Sequence, residues 1–84
     1  MRQEVLLSWI DLNFIPIRNI NKKHLSYGLK QFFERSDQGF YISTHDFIKA
    51  MQENGYQAEW VSGANCAFNI SEFSPCLRKE KGKL

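Results

Sequence analysis

Apolar residues recur along this chain at two different periods. Between residues 2 and 13, Val5, Leu6, Trp9 and Ile10 repeat at helical spacing and Leu12 widens the stripe, which predicts a first helix. Pro16 stops it, and Ile15 before the proline favours extended backbone. Residues 14–22, FIPIRNINK, then read as an ordered loop whose Phe14, Ile15, Ile17 and Ile20 fold back on the core. Leu25, Leu29, Phe32 and Phe33 share one face and predict a second helix over residues 24–35, with Asn21 or Ser26 as its cap. Ser36-Asp37-Gln38-Gly39 is a turn, and Phe40-Tyr41-Ile42 a brief extended piece.

The best-punctuated segment comes next. Ser43 and Asp46 stand at capping-box spacing, and Phe47, Ala50 and Met51 form a buried stripe with Ile48 at its edge. Asn54-Gly55 supplies the C-cap. The period then changes to two. Strands are predicted at 57–61 and 65–70, joined by Ser62-Gly63-Ala64 as a β-hairpin, with Trp60 and Tyr56 closing the core. Ser74-Pro75 ends the ordered body. The expected organisation is one domain over residues 1–75 and a basic flexible tail over 76–84.

Length and composition narrow the class. An 84-residue chain forms one domain that buries roughly 60–65% of its unfolded surface. Hydrophobic residues at 43%, with seven Phe, three Tyr and two Trp, exclude disorder. No apolar run approaches the ~20 residues that span a bilayer, so no membrane partner is expected. The N-terminal MRQEVLLSWIDLNF carries Glu4 and Asp11 and no small-residue cleavage site, unlike a signal peptide. A soluble cytoplasmic protein is expected. Cys66 and Cys76 then read as reduced thiols, Cys66 on an apolar strand face and Cys76 exposed. With His24 and His45 isolated, no metal site and no cofactor are expected.

Charge is unevenly spread. Residues 1–77 hold seven Lys/Arg against eight Asp/Glu, while residues 78–84, RKEKGKL, hold four against one. Within the body, Arg18, Lys22, Lys23 and Lys30 fall in an acid-free stretch, residues 18–30. These four, with Arg78 and Lys79 of the tail, are the candidate phosphate-binding cations.

The pattern Phe47-x-x-Ala50-Met51-x-x-x-Gly55-Tyr56 followed by a hairpin resembles the third helix and wing of winged-helix domains. It is similar in particular to the C-terminal winged helix of phage and plasmid primase-helicases. Asn19-Ile20-Asn21, Ser26-Tyr27-Gly28-Leu29-Lys30 and Gly39-Phe40-Tyr41 also resemble short uncharacterised proteins of phages and mobile elements in Gram-positive bacteria. The resemblance covers about residues 19–70 and implies an α+β winged helix: three helices, a short strand and a C-terminal two-stranded wing. Its strand falls between the second and third helices, whereas many winged helices carry it between the first and second. The resemblance further implies that the third helix enters the major groove of double-stranded DNA. Lys49 and Gln52 would then face bases, and Thr44, beside His45, would hold a phosphate at the helix N-terminus.

Two functions compete. One is a DNA-binding regulator or replication accessory factor of a phage or mobile element, with a homodimer doubling its contacts. Against it stand Asp46 and Glu53 on the same outward face, and a hairpin turn without Lys or Arg. The other is a protein-binding module that inhibits or redirects a host enzyme, such as a defence nuclease, in the manner of anti-CRISPR inhibitors. An exposed Trp9, Tyr27 or Trp60 would favour it. An enzyme is not expected: His24, His45, Ser43 and the carboxylates show no nucleophile–base spacing, and the chain leaves little room for a pocket of about 300 Å³.

Overall fold

The computed structural model describes residues 2–82, with side chains through Arg78. In chain order the elements are α1 (Arg2–Asn13), β1 (Pro16–Leu25), α2 (Ser26–Glu34), α3 (Thr44–Glu53), β2 (Ala58–Ser62), β3 (Asn65–Ile70) and α4 (Pro75–Gly82). The fold is a small α+β unit in which an antiparallel sheet, ordered β1-β3-β2, packs against the helices.

The α3 helix forms as its residues dictate. The Ser43 hydroxyl accepts from the Asp46 N–H at 3.0 Å, and Gly55 takes the left-handed φ of +90° that ends the helix. Phe47, Ala50 and Met51 are fully buried. They meet Leu6 and Ile10 of α1, Leu29 and Phe33 of α2, and the inward residues Cys66, Phe68 and Ile70 of β3. Edge-on aromatic contacts link this core, Trp9 lying 5.5 Å from Phe14 and 5.3 Å from Phe33 between ring centres.

Three departures from the expected elements have physical causes. Residues 16–25, expected largely as loop, form the long strand β1. Pro16 occupies its first position on a sheet edge, where a missing N–H costs no ladder bond. The expected extended piece at 40–42 joins no strand, so the third strand precedes α2 instead of following it. The chain also continues past Ser74-Pro75 as α4. Ser74 precedes the helix and its carbonyl accepts from Leu77 and Arg78, while Pro75 takes the first helical position. Cys76 is therefore buried, with Leu77, and not exposed.

Side chains complete what the ladders leave open. The α2 helix has no cap of its own: Leu25 stands at the N-cap position, and neither Asn21 nor Ser26 accepts from the helix. Asn65 of β3 does so, its Oδ1 accepting from Tyr27 N at 3.1 Å and from the Ser26 hydroxyl at 3.2 Å. Ser26 in turn accepts from Cys66 N at 3.0 Å. On the central strand, Asn69 donates to Ile17 O at 2.9 Å and accepts from Gln57 N at 2.7 Å, tying both flanks of the sheet.

Candidate interaction surfaces

The acid-free segment does not form one basic patch. Arg18, Lys22 and Lys23 lie exposed along β1, but Lys22 extends to Glu59 of β2, with Nζ 2.9 Å from the carboxylate. Lys30 is only 6% exposed. Its ammonium donates to Glu34 at 3.0 Å and sits over the rings of Tyr27 and Tyr41 at 5.0 and 5.4 Å. Glu34 also accepts from Ile42 N at 3.1 Å, so this ion pair fastens the 40–42 segment to α2. Lys30 is a structural cation and is withdrawn from any phosphate-binding role. Arg78 is exposed on α4, and the side chain of Lys79 lies outside the described residues.

The outward face of α3 is as the sequence places it. His45, Lys49 and Gln52 are exposed and Thr44 is half-buried at the capped N-terminus. Asp46 and Glu53 share the face. Lys49, Asp46 and Glu53 also border an open groove of about 570 Å³, closed on the α1 side by Arg2 and Gln3 and floored by Leu6. This corrects the expectation that the chain lacks room for a pocket of about 300 Å³. The Arg2 guanidinium stacks 4.1 Å above Phe40 at the rim. The groove joins two cations, Arg2 and Lys49, to two carboxylates, Asp46 and Glu53. Among the described residues no three His, Cys, Asp or Glu converge as a metal site.

Both thiols are free and buried. Burial pushes the Cys76 thiol up to about 12 and raises that of Cys66. Tyr56 is likewise raised, by burial and then by Asp11, and its hydroxyl donates to Phe14 O at 2.9 Å. His24 contacts Glu72 at 3.0 Å, and Asn21 donates to the same carboxylate oxygen at 2.7 Å, which holds the end of β1 to the turn after β3.

The outer hairpin strand is more exposed than its pattern predicts. Trp60, expected to close the core with Tyr56, is 63% exposed, and Val61 beside it is 45% exposed. Tyr56 alone turns inward. Only Ala58 of β2 packs against the core, so the strand extends beyond it. One signal for this was present: adjacent Trp60 and Val61 must point to opposite faces of a strand, so one of them faces solvent whichever side is packed. Tyr27 is exposed as well, whereas Trp9 is half-buried between Phe14 and Phe33. A second group of exposed apolar residues comprises Leu12 in the last turn of α1, Ile15 and Ile17 at the start of β1, and Phe73 in the turn that Ser71 and Ser74 bond to Ile15.

Comparison of the chain with protein-family models, with curated proteins and with solved structures returns no match.

Proposed function

We propose that this chain is a small non-enzymatic module that docks on another protein. The observation that carries this reading is β2, the outer strand of the hairpin, which has no strand on its outer edge among the described residues and holds Trp60 and Val61 in solvent. A monomer gains nothing from a wet tryptophan, and desolvated Trp side chains dominate binding energy at interfaces. Electrostatics argues in the same direction. Lys22 and Lys30, two of the candidate cations, are engaged by Glu59 and Glu34, and α3 offers Asp46 and Glu53 beside Lys49.

The framework in this proposal is a winged helix. Its support is the order α1, β1, α2, α3, β2, β3, in which the strand precedes the second helix as in many winged helices and joins the hairpin beside β3. The resemblance to proteins of phages and mobile elements makes a host enzyme the expected target, inhibited or redirected by docking. The test is parallel affinity capture from a Gram-positive lysate with the full chain, Trp60→Ser and Gln52→Ala. A protein retained by the full chain and by Gln52→Ala but lost with Trp60→Ser is the expected result. An identical bound set for the full chain and Trp60→Ser overturns the reading.

DNA binding is the second reading. It is favoured by Arg18 and Lys23, which lie exposed on β1, and by Arg78 on α4. Fluorescence anisotropy of a mixed-sequence duplex, titrated at low and moderate salt, tests it. Binding that weakens steeply with salt and is reduced in Arg18→Ala/Lys23→Ala supports this reading.

A further inference from the structure

The β2 edge also limits what kind of partner it takes. An edge strand presents a row of free N–H and C=O groups at strand spacing, and the group that satisfies such a row is another extended backbone. The contact is small. Five residues with one exposed Trp fall well short of the ~1,200 Å² that two folded surfaces need for stable association. An extended segment does not face that threshold in the same way, because main-chain hydrogen bonds supply its affinity and alternate side chains its specificity. The only formal charge on β2 is Glu59, paired among the described residues with the exposed Lys22 from the far side of β3. Exposed pairs of this kind are weak and exchange readily. A strand added outside β2 therefore meets an apolar position beside Trp60 and a negative one beside Glu59 on the opposite face.

We infer that β2 captures an extended segment of a partner protein by β-strand addition, and that the segment carries a Lys or Arg opposite Glu59 and an apolar residue beside Trp60. This rests on the protein-docking reading and adds the partner's conformation and charge to it.

The probe is a random twelve-residue peptide library displayed on phage and selected against the immobilised full chain, against Trp60→Ser and against Glu59→Lys. Far-UV circular dichroism and a thermal melt confirm that each variant is folded. The expected result is enrichment of proline-poor peptides with alternating apolar and basic residues, at least tenfold weaker retention on Trp60→Ser, and a switch to acidic peptides on Glu59→Lys. Hydrogen exchange of residues 58–62 slows when a selected peptide binds. Enrichment whose charge does not change with Glu59→Lys overturns the inference, as does equal retention on Trp60→Ser or protection centred elsewhere. Sedimentation showing a dimer that Trp60→Ser dissolves also overturns it, by making a second copy the occupant. Failure of the peptide selection alongside a Trp60-dependent protein in the capture experiment leaves the docking reading standing and removes only strand addition.

Discussion

The two edges of the sheet are built differently. β1 is ten residues long and irregular: it advances five residues while β3 advances two, from Pro16↔Ile70 to Asn21↔Phe68. Side chains fasten it where the ladder slips, through Asn21 to Ile70 O and Glu72, Asn69 to Ile17 O, and Ser74 to Ile15 N. It begins with proline and exposes Arg18, Lys22 and Lys23. Proline, bulges and lysines are the devices by which proteins keep an edge from pairing with other chains. β2 has five residues, neither proline nor lysine, one register shift, between Trp60 and Ser62, and an exposed Trp-Val pair. β1 combines proline, repeated register shifts and lysines, whereas β2 has only its short length and one shift, so β2 is the more open of the two edges.

The comparison breaks most completely at the strand the edges share. Phe68→Ala removes a fully buried ring between them and costs about 3–5 kcal/mol, read as a lower urea midpoint, with both edges loosened together. Asn69→Ala leaves Ile17 O and Gln57 N without their partner and costs roughly 1–3 kcal/mol, with amide exchange rising at both flanks. Asn21→Ala separates the edges. It costs about 1 kcal/mol, and faster exchange is confined to β1. Trp60→Ser changes stability by less than about 0.5 kcal/mol in the same denaturation assay, because the ring is already in water, while abolishing partner capture. Cysteine labelling sharpens the contrast without changing the sheet. In Cys76→Ser, iodoacetamide modification at pH 8 reports only Cys66, which pairs with Trp60. The expected rate is below that of a free thiol, because Cys66 is buried and burial raises its thiol, and it slows further when a strand occupies the edge.

Regions with local logic were legible in the sequence. The α3 helix carried its cap, stripe and terminator within thirteen residues, and Gly63, at a φ of +50°, marked the hairpin turn. β1 was not legible, because its register slips erase the period of two and its partner lies some fifty residues away. The α4 helix was hidden by an ambiguous dipeptide: Ser-Pro both ends an ordered body and opens a helix, and a sequence as basic as RKEKGKL offered no apolar stripe to decide. The outward face of α3 was legible, because its exposure follows from helical spacing. The candidate site was misread at Lys30, although Glu34 four residues on was visible as its partner. Trp60 was misread because burial of a strand residue depends on how far the covering helices reach, which no local pattern records.

The bond from Asn65 to α2 has a consequence for the order of folding. A nine-residue helix containing Gly28 is too short to persist alone, and its N-terminal acceptor lies 38 residues further along the chain. During synthesis the first half of the molecule is therefore complete in sequence but unfinished in conformation until the hairpin has emerged and found its register. In a chain stalled before residue 65, Tyr27 N and the Ser26 hydroxyl lack their Asn65 acceptor, and α2 is held only by its packing against Trp9, Phe40 and α3.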